Sequence, residues 1–378
     1  MTTRILIALF VVTSLWACGS DTVTTSEPPA LERGLHEVGN LSKPRYWHAS
    51  TLLNDGKVLI AGGYAELIPV FEGPPPPNTD IPRPMRHISA EIFDPETGVS
   101  TPTGDLTASR SEDHGILLSD GRVLIMPRHG HLPIEMYDSQ SGRFAAVAMV
   151  PSNASIFTST LLHDGKVFLT SVGHTGVFDP TTGTFPSIFA MDHPRIGHTA
   201  TLLKDGRVLI VGGRIARRDG GSVGRNLIYN PSSEAFSEAG NLQFDRQFHE
   251  AVLLRDDRVL IIGGSNVAIR TSVQTAEIYD PESNMFSPAG VSTIDPMAAL
   301  LLPSGIVMFI NSHNGDIVLY NPDTHAFSPT GHSIGWRSSP TVTLLADGRV
   351  MIAGGSKDTG SGHTFKEEIS DQILIFTP

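Results

Sequence analysis

The chain of 378 residues contains a single cysteine, Cys18. One thiol allows no intramolecular disulfide and no thiolate-rich metal site. Basic residues are also scarce: 27 Lys and Arg against 39 Asp and Glu leave a formal charge of −12, with no basic stripe. Nucleic acid is held by clustered Lys and Arg, so it is excluded as a partner. No run is long and apolar enough to cross a membrane as a mature helix; Ile5 to Leu15 is too short. Absent too are the HExxH of zinc proteases, the G-x-S-x-G elbow and a phosphate-cradling P-loop. Acidic neighbours such as Glu112-Asp113 and Glu367-Glu368 adjoin along the chain, and are expected to be solvated rather than paired for glycosidase work.

What is present is repetition. A nine-residue phrase occurs seven times, beginning at Leu52, Leu117, Leu161, Leu202, Leu253, Leu301 and Leu344; the clearest copy is LLKDGRVLI. Each is two short apolar runs, mostly joined by Asp-Gly, a pair that tolerates the positive φ of a tight two-residue turn. Each phrase therefore predicts a β-hairpin, and a lone hairpin is barely stable in water, so the seven must stack. Successive copies start about 41 to 65 residues apart, the period of a propeller blade rather than of a short solenoid unit. Gly-Gly follows four copies, at Gly62-Gly63, Gly212-Gly213, Gly263-Gly264 and Gly354-Gly355. A third strand then ends in aromatic–Asp/Asn–Pro (Phe93-Asp94-Pro95, Phe178-Asp179-Pro180, Tyr229-Asn230-Pro231, Tyr279-Asp280-Pro281, Tyr320-Asn321-Pro322), with Tyr137-Asp138-Ser139 as a variant. A fourth starts near Phe144, Phe185, Phe236, Phe286 or Phe327. Four strands in each of seven repeats predict an all-β, seven-bladed propeller.

Hairpin, Gly-Gly and aromatic–Asp–Pro strand together resemble the kelch-repeat family, which includes the propeller of galactose oxidase, over nearly all of residues 35–378. Phe stands where Trp often opens the fourth strand of that family, and blades 2, 3 and 6 lack Gly-Gly. The resemblance implies that the connection after the second strand and the one leading into the next blade share a face. Galactose oxidase chemistry needs a copper-bound Tyr crosslinked to a Cys; with no cysteine after Cys18, that cofactor is excluded, and no other cofactor or metal is expected.

The propeller should begin in mid-blade. Leu35 to Leu41 echoes Ser237 to Leu242, a fourth-strand segment, while the chain stops at the end of a third strand, Ile375-Phe376-Thr377-Pro378. The N-terminal segment is therefore expected to supply the outermost strand of blade 7 and close the ring, removing two sheet edges. Ahead of it, residues 1–17 carry Arg4 and an apolar stretch, as a secretory signal does. Leu15-Trp16-Ala17-Cys18 resembles a bacterial lipobox, in which the Cys is lipid-modified and becomes the mature N-terminus; Gly19 in the next place implies the outer membrane, on its periplasmic or surface side. Ordinary secretion with an incidental Cys is the other reading. Residues 18–34, polar and Pro-containing, are expected to be the lipidated tether.

Three sets of side chains are candidates for function. Arg45, Arg110, Arg195, Arg246 and Arg337 each precede a hairpin by seven residues, and His48, His198 and His249 follow three of them at a fixed offset. They are either structural, pairing with neighbouring backbone or carboxylates, or a cationic rim for an anionic or polyhydroxylated ligand. His129, His131, His174 and His313 lie in the short loops replacing Gly-Gly, as scattered surface residues or as metal ligands. Trp47 and Trp336, with Tyr46 and the adjacent arginines, stand at the start of blades 1 and 7, which closure makes neighbours. Beside them should lie the insertion 64–90, with Pro74 to Pro77, and the loop Ser356 to Phe365. Indole faces beside guanidinium donors suit a sugar ring or a peptide side chain; inter-blade packing is the alternative. The expected function is thus a monomeric, envelope-anchored, non-enzymatic module binding a glycan or an envelope protein, with membrane contact through the lipid alone. A carbohydrate-active enzyme resembling kelch-type sialic acid mutarotases, and a structural subunit of an envelope complex, are the rivals.

Overall fold

The computed structural model describes residues 32–65, 85–151, 155–191, 194–215, 221, 225–266, 271–292, 294–358 and 367–378. Cys18, the expected signal, the expected tether up to residue 31, most of the 64–90 insertion and residues 359–365 of the 356–365 loop lie outside them. Residues 33–378 form one compact unit, in which no α-helix occurs among the described residues.

Seven four-stranded antiparallel sheets make up the unit. Blade 1 consists of Ala49–Leu52, Val58–Ala61, Ala90–Asp94 and Val99–Pro102, innermost to outermost. Blades 2 to 6 repeat that order along the chain. Blade 7 takes Thr341–Leu344, Val350–Ala353 and Gln372–Thr377, then borrows Gly34–Asn40 as its outer strand. Gly34 pairs with Thr377 and Asn40 with Gln372, so the N-terminal segment closes the ring as expected. First strands adjoin the first strands of neighbouring blades, including those of blades 1 and 7, and thereby line a central channel.

The second strand explains why the ring holds. Val58-Leu59-Ile60-Ala61, Val208-Leu209-Ile210-Val211 and their counterparts are buried at every residue. A strand flanked by two others, with another blade on each face, has no solvent side, so its pattern is a continuous apolar run instead of an alternation. The core is accordingly a set of layers between blades: Leu124 packs with Leu169 and Phe178 across blades 2 and 3, and Leu260 with Phe309 and Tyr320 across blades 5 and 6.

The hairpin turn differs from expectation. Leu53 N–H donates to Lys57 O at 2.8 Å and Gly56 N–H to Leu53 O at 3.1 Å, with positive φ at Gly56 (83°) but not at Asp55. This is a three-residue loop closed by a left-handed residue, not a two-residue turn with both centres left-handed. Asp55 serves differently: its Oδ1 accepts Lys57 N–H at 3.1 Å, as Asp and Asn do in turns. In blade 5 the closing place falls to Asp257, at φ 73°. All these turns lie on the lower face with the turns joining third to fourth strands. The other connections lie on the upper face.

Candidate ligand-binding site

The recurrent arginines are not a rim. Arg45, Arg110, Arg195, Arg246 and Arg337 are all buried, and each donates to partners within the blade. Arg45 donates to Gly62 O at 2.7 Å and pairs with Glu91 at 2.9 Å. Arg246 donates to Gly263 O at 3.2 Å and Thr275 O at 2.8 Å, and pairs with Glu277 at 2.7 Å. Arg110 donates to Pro133 O at 3.0 Å and pairs with Glu135. Arg337 reaches Gly354 O at 3.2 Å and Gln372, and Arg195 reaches Gly212 O at 3.2 Å and Arg225 O at 2.8 Å. Each of the three glutamates turns its second oxygen to a backbone N–H three residues before its arginine: Ser42 and Gln243 at 2.7 Å, Thr107 at 2.8 Å. The pair thus clamps the segment leading into a blade onto that blade's third strand. Buried charges are tolerable only when paired and bonded in this way.

Glycine and histidine complete the clamp. Gly63, Gly213 and Gly355 donate N–H to the carbonyls of Arg110, Arg246 and Arg45, the arginines of the next blade. A Cβ on Gly354 would lie 2.3 Å from Arg45 O and 2.9 Å from His48 Cε1, which is why that place is glycine. His48, His198 and His249 are buried, each with Nε2 on a threonine of the preceding blade (Thr341 at 2.7 Å, Thr170 at 2.6 Å, Thr199 at 2.9 Å). Burial holds the His198 and His249 rings neutral, with pKa values of about 3, and lowers that of His48 well below the ordinary range. The arginine side chains thus brace their own blades and the histidines join neighbouring ones, and all eight are buried.

Where blade 6 carries Met297 at the place of such a histidine, blade 5 opens its innermost strand with Glu250 instead of threonine. Burial raises that carboxyl from 4.5 to about 8. A carboxyl with a raised folded-state pKa stabilises the fold least once it must ionise, so stability falls between about pH 4.5 and 8. Glu250→Gln is expected to match the parent at pH 4.5 and exceed it by about 2 kcal/mol at pH 9, less than the full shift implies because the side chain is only partly buried. Urea unfolding at the two pH values checks this; an equal difference at both would refute it.

Between each arginine and the aligned histidine place lies a residue whose shared backbone the sequence did not reveal. Trp47, Glu112, Gly197, Phe248 and Ser339 each follow their arginine by two, and all five have left-handed backbones, with φ between 51° and 71°. They are wired together around the channel mouth. Trp47 N–H donates to Ser339 O at 3.2 Å, Glu112 N–H to Trp47 O at 2.8 Å and Phe248 N–H to Gly197 O at 2.7 Å. Glycine is the ordinary occupant of such a conformation; a bulky residue there costs roughly 1–2 kcal/mol. Two of the five are nevertheless large aromatics held out in solvent, Trp47 at 42% exposure and Phe248 at 59%. Aligning Arg45-Tyr46-Trp47-His48 with Arg195-Ile196-Gly197-His198 was the signal that could have found them.

Trp47 stands at the centre of an aromatic group on the upper face. Its ring lies 5.8 Å from those of Tyr46 and Tyr64, which stack on each other at 5.1 Å. Arg86 covers the Tyr64 ring at 5.3 Å and donates to its hydroxyl at 3.3 Å. Trp336 does not join them: it precedes its arginine by one residue rather than following by two, and makes no ring contact with Trp47. It is exposed at 41%, so packing between blades does not account for it.

Beyond Trp47 the group continues through Glu112 into blades 2 and 3. Arg128 lies 3.8 Å from Glu112, sits over the Phe157 ring at 4.0 Å and donates to Ile156 O at 2.9 Å. His129 and His131 stack at 5.8 Å; His174 and His313 lie in blades 3 and 6, and no three metal-ligating side chains converge among the described residues. Asp113, expected to be solvated, is buried beneath: its Oδ1 accepts Arg128 N–H at 3.0 Å, Arg110 is 3.5 Å away, and burial raises its pKa to about 7.

No family model matches the chain, and no curated protein matches its sequence. Solved structures do match. Streptogramin B lyase aligns with a TM-score of 0.60 and 13% identity, over 90% of this chain and 96% of its own. A catalytically inactive virginiamycin B lyase from Staphylococcus aureus, with quinupristin, aligns with a TM-score of 0.61 and 12% identity, over 91% and 99%. The chain is a seven-bladed β-propeller. A fungal alcohol oxidase of the AA5 family, in complex with copper, is a looser likeness (TM-score 0.45, 16% identity, 88% and 62%). At such identities the likeness is one of fold, and one propeller fold hosts many activities.

Proposed function

We propose that this propeller is a kelch-type binding module that holds a glycan on its upper face, across the Trp47 ring. The carrying observation is Trp47 itself, kept 42% exposed in a left-handed backbone (φ 51°) beside the Tyr46–Tyr64 stack. Strain retained at an exposed aromatic argues for a contact the free protein does not make. Indole and phenol faces with polar tips suit the alternating apolar and hydroxyl faces of a sugar ring. Cys18 and the apolar stretch before it support export and lipid anchorage at the outer membrane, and the ring's covered edges support a monomer.

One observation favours an enzyme that interconverts sugar anomers: Asp113, with a pKa of about 7, could give and take a proton at neutral pH. Yet its side chain is only 2% exposed and lies under Arg128, so a sugar has no path to it, and the binding reading is the better supported. The test follows a panel of sugars by proton NMR in the presence of the protein. Selective line broadening, lost in Trp47→Ala and kept in Trp336→Ala, is expected. Accelerated anomer exchange that disappears in Asp113→Asn would instead make this an enzyme.

A further inference from the structure

Trp47 has a flank of definite charge. Arg86, on the Tyr64 ring beside Trp47, and Arg128, beside Glu112, flank the same part of the upper face; burial lowers the His129 pKa most, and the positive charge of both arginines lowers it further. His129 Nε2 is buried and has no hydrogen-bond partner. The acidic groups facing this flank are Glu112, 3.8 Å from Arg128, and Asp113, which burial leaves half-neutral near pH 7 and whose closer cation is Arg110 at 3.5 Å. His131, stacked on His129, adds no negative charge. In a chain of net charge −12, two arginines against the single carboxylate of Glu112 make a local cationic seat. Arg86 is held by Tyr64 rather than by an acid, and Arg128 by the Phe157 ring and Ile156 O besides its long contact with Glu112. Pre-organised guanidinium groups of this kind recognise carboxylate and sulfate through paired N–H donors.

We infer that the glycan is acidic, its sugar ring lying on Trp47 and its carboxylate or sulfate seated by Arg86 and Arg128, with His129 as a third donor. This rests on the binding role proposed for Trp47. An anion in the seat favours the protonated imidazole, so binding raises the pKa of His129 and tightens as the pH falls through it.

The experiment uses the full chain and a panel of glycans in matched pairs: uronate and its methyl ester, sialylated and asialo, sulfated and desulfated. The acidic member of at least one pair should bind at least tenfold more tightly, in 0.15 M salt. Arg86→Gln and Arg128→Lys, which keeps the charge but loses the fork, should each lower the ratio of acidic to neutral affinity within that pair. His ring titration by NMR, assigned with His129→Gln, should move upward with the acidic ligand alone. Equal binding within every pair, or a preference that survives both arginine substitutions, overturns the acidic ligand and leaves glycan binding standing. Binding indifferent to Trp47→Ala, or a panel with no ligand, overturns both; the pair in which preference appears distinguishes carboxylate from sulfate.

Discussion

Removing Gly34–Asn40 is expected to lower the melting temperature by roughly 10 °C and to make the ring self-associate. The strand pairs with Gln372–Thr377 from Gly34–Thr377 to Asn40–Gln372, and Leu35 packs against the layer between blades 6 and 7 that holds Leu374 and Phe376. Its loss uncovers that apolar layer and strips the partner from the outer edge of the third strand. The combined cost is about 5 kcal/mol, the scale of one large core side chain plus several unpaired backbone groups, or about 10 °C in a chain of this size. The freed edge is also a template for another molecule. Differential scanning calorimetry with light scattering reads both effects. An unchanged transition in a monomeric sample would mean that blade 7 does not depend on its borrowed strand.

Breaking one clamp should be almost as costly. Glu277→Ala leaves the Arg246 guanidinium, at 0% exposure, without its counter-charge and Gln243 N–H without its acceptor. Removing one partner of a buried pair typically costs 3–5 kcal/mol. Arg246→Ala should cost a similar amount, since it strands Glu277 and the carbonyls of Gly263 and Thr275. The double variant should cost clearly less than the sum, because each single change leaves a buried charge that the other removes. Blade 4 shows that the clamp can be built otherwise: Leu227 stands where blade 5 has Glu277, and Arg195 turns to Arg225 O. Urea denaturation of the three variants measures the coupling; a loss below 1 kcal/mol for Glu277→Ala would show that water reaches the pair.

Nearly the whole architecture was legible in the chain, because repetition averages out local ambiguity. Seven copies of one hairpin, four Gly-Gly pairs and a run of aromatic–Asp–Pro strands leave few arrangements open, and the fragment at Leu35 to Leu41 could be matched to its place in the ring. The turn was misjudged because Asp-Gly suits both a two-residue turn and a type I turn closed by a left-handed glycine; only the backbone decides between them. The arginines admitted two readings, structural pairing or a rim, and their burial against carboxylates decides for the first. Their partners Glu91, Glu135 and Glu277 each sit alone in an apolar strand (AEIFD, IEMYD, AEIYD), and a charge so placed demands a buried counter-ion. The pairing was foreseen; these particular glutamates were not named.

The site was only half visible. Trp47 stood out as a rare residue, but nothing in its surroundings along the chain separates it from Trp336, and only the backbone reveals that one follows its arginine by two residues in a left-handed turn and the other does not. Phe248 was hidden among 17 phenylalanines. Arg86 and Arg128 belong to connections that do not align between blades, so no comparison of repeats could bring them together beside Trp47. Sequence periodicity finds what every blade shares, and a binding surface is assembled from what they do not share.

The borrowed strand has a mechanical consequence. Gly34 pairs with Thr377 at the lower end of blade 7 and Asn40 with Gln372 at the upper end, so the strand begins at the face opposite Trp47. With the anchor and ligand proposed above, a pull between membrane and glycan would run along this strand's own axis. Its rungs would then be loaded in parallel, by shear, instead of being opened one after another like a zipper. Such a seam yields only when its rungs fail together, and the strand that closes the ring would also be the one best placed to bear tension.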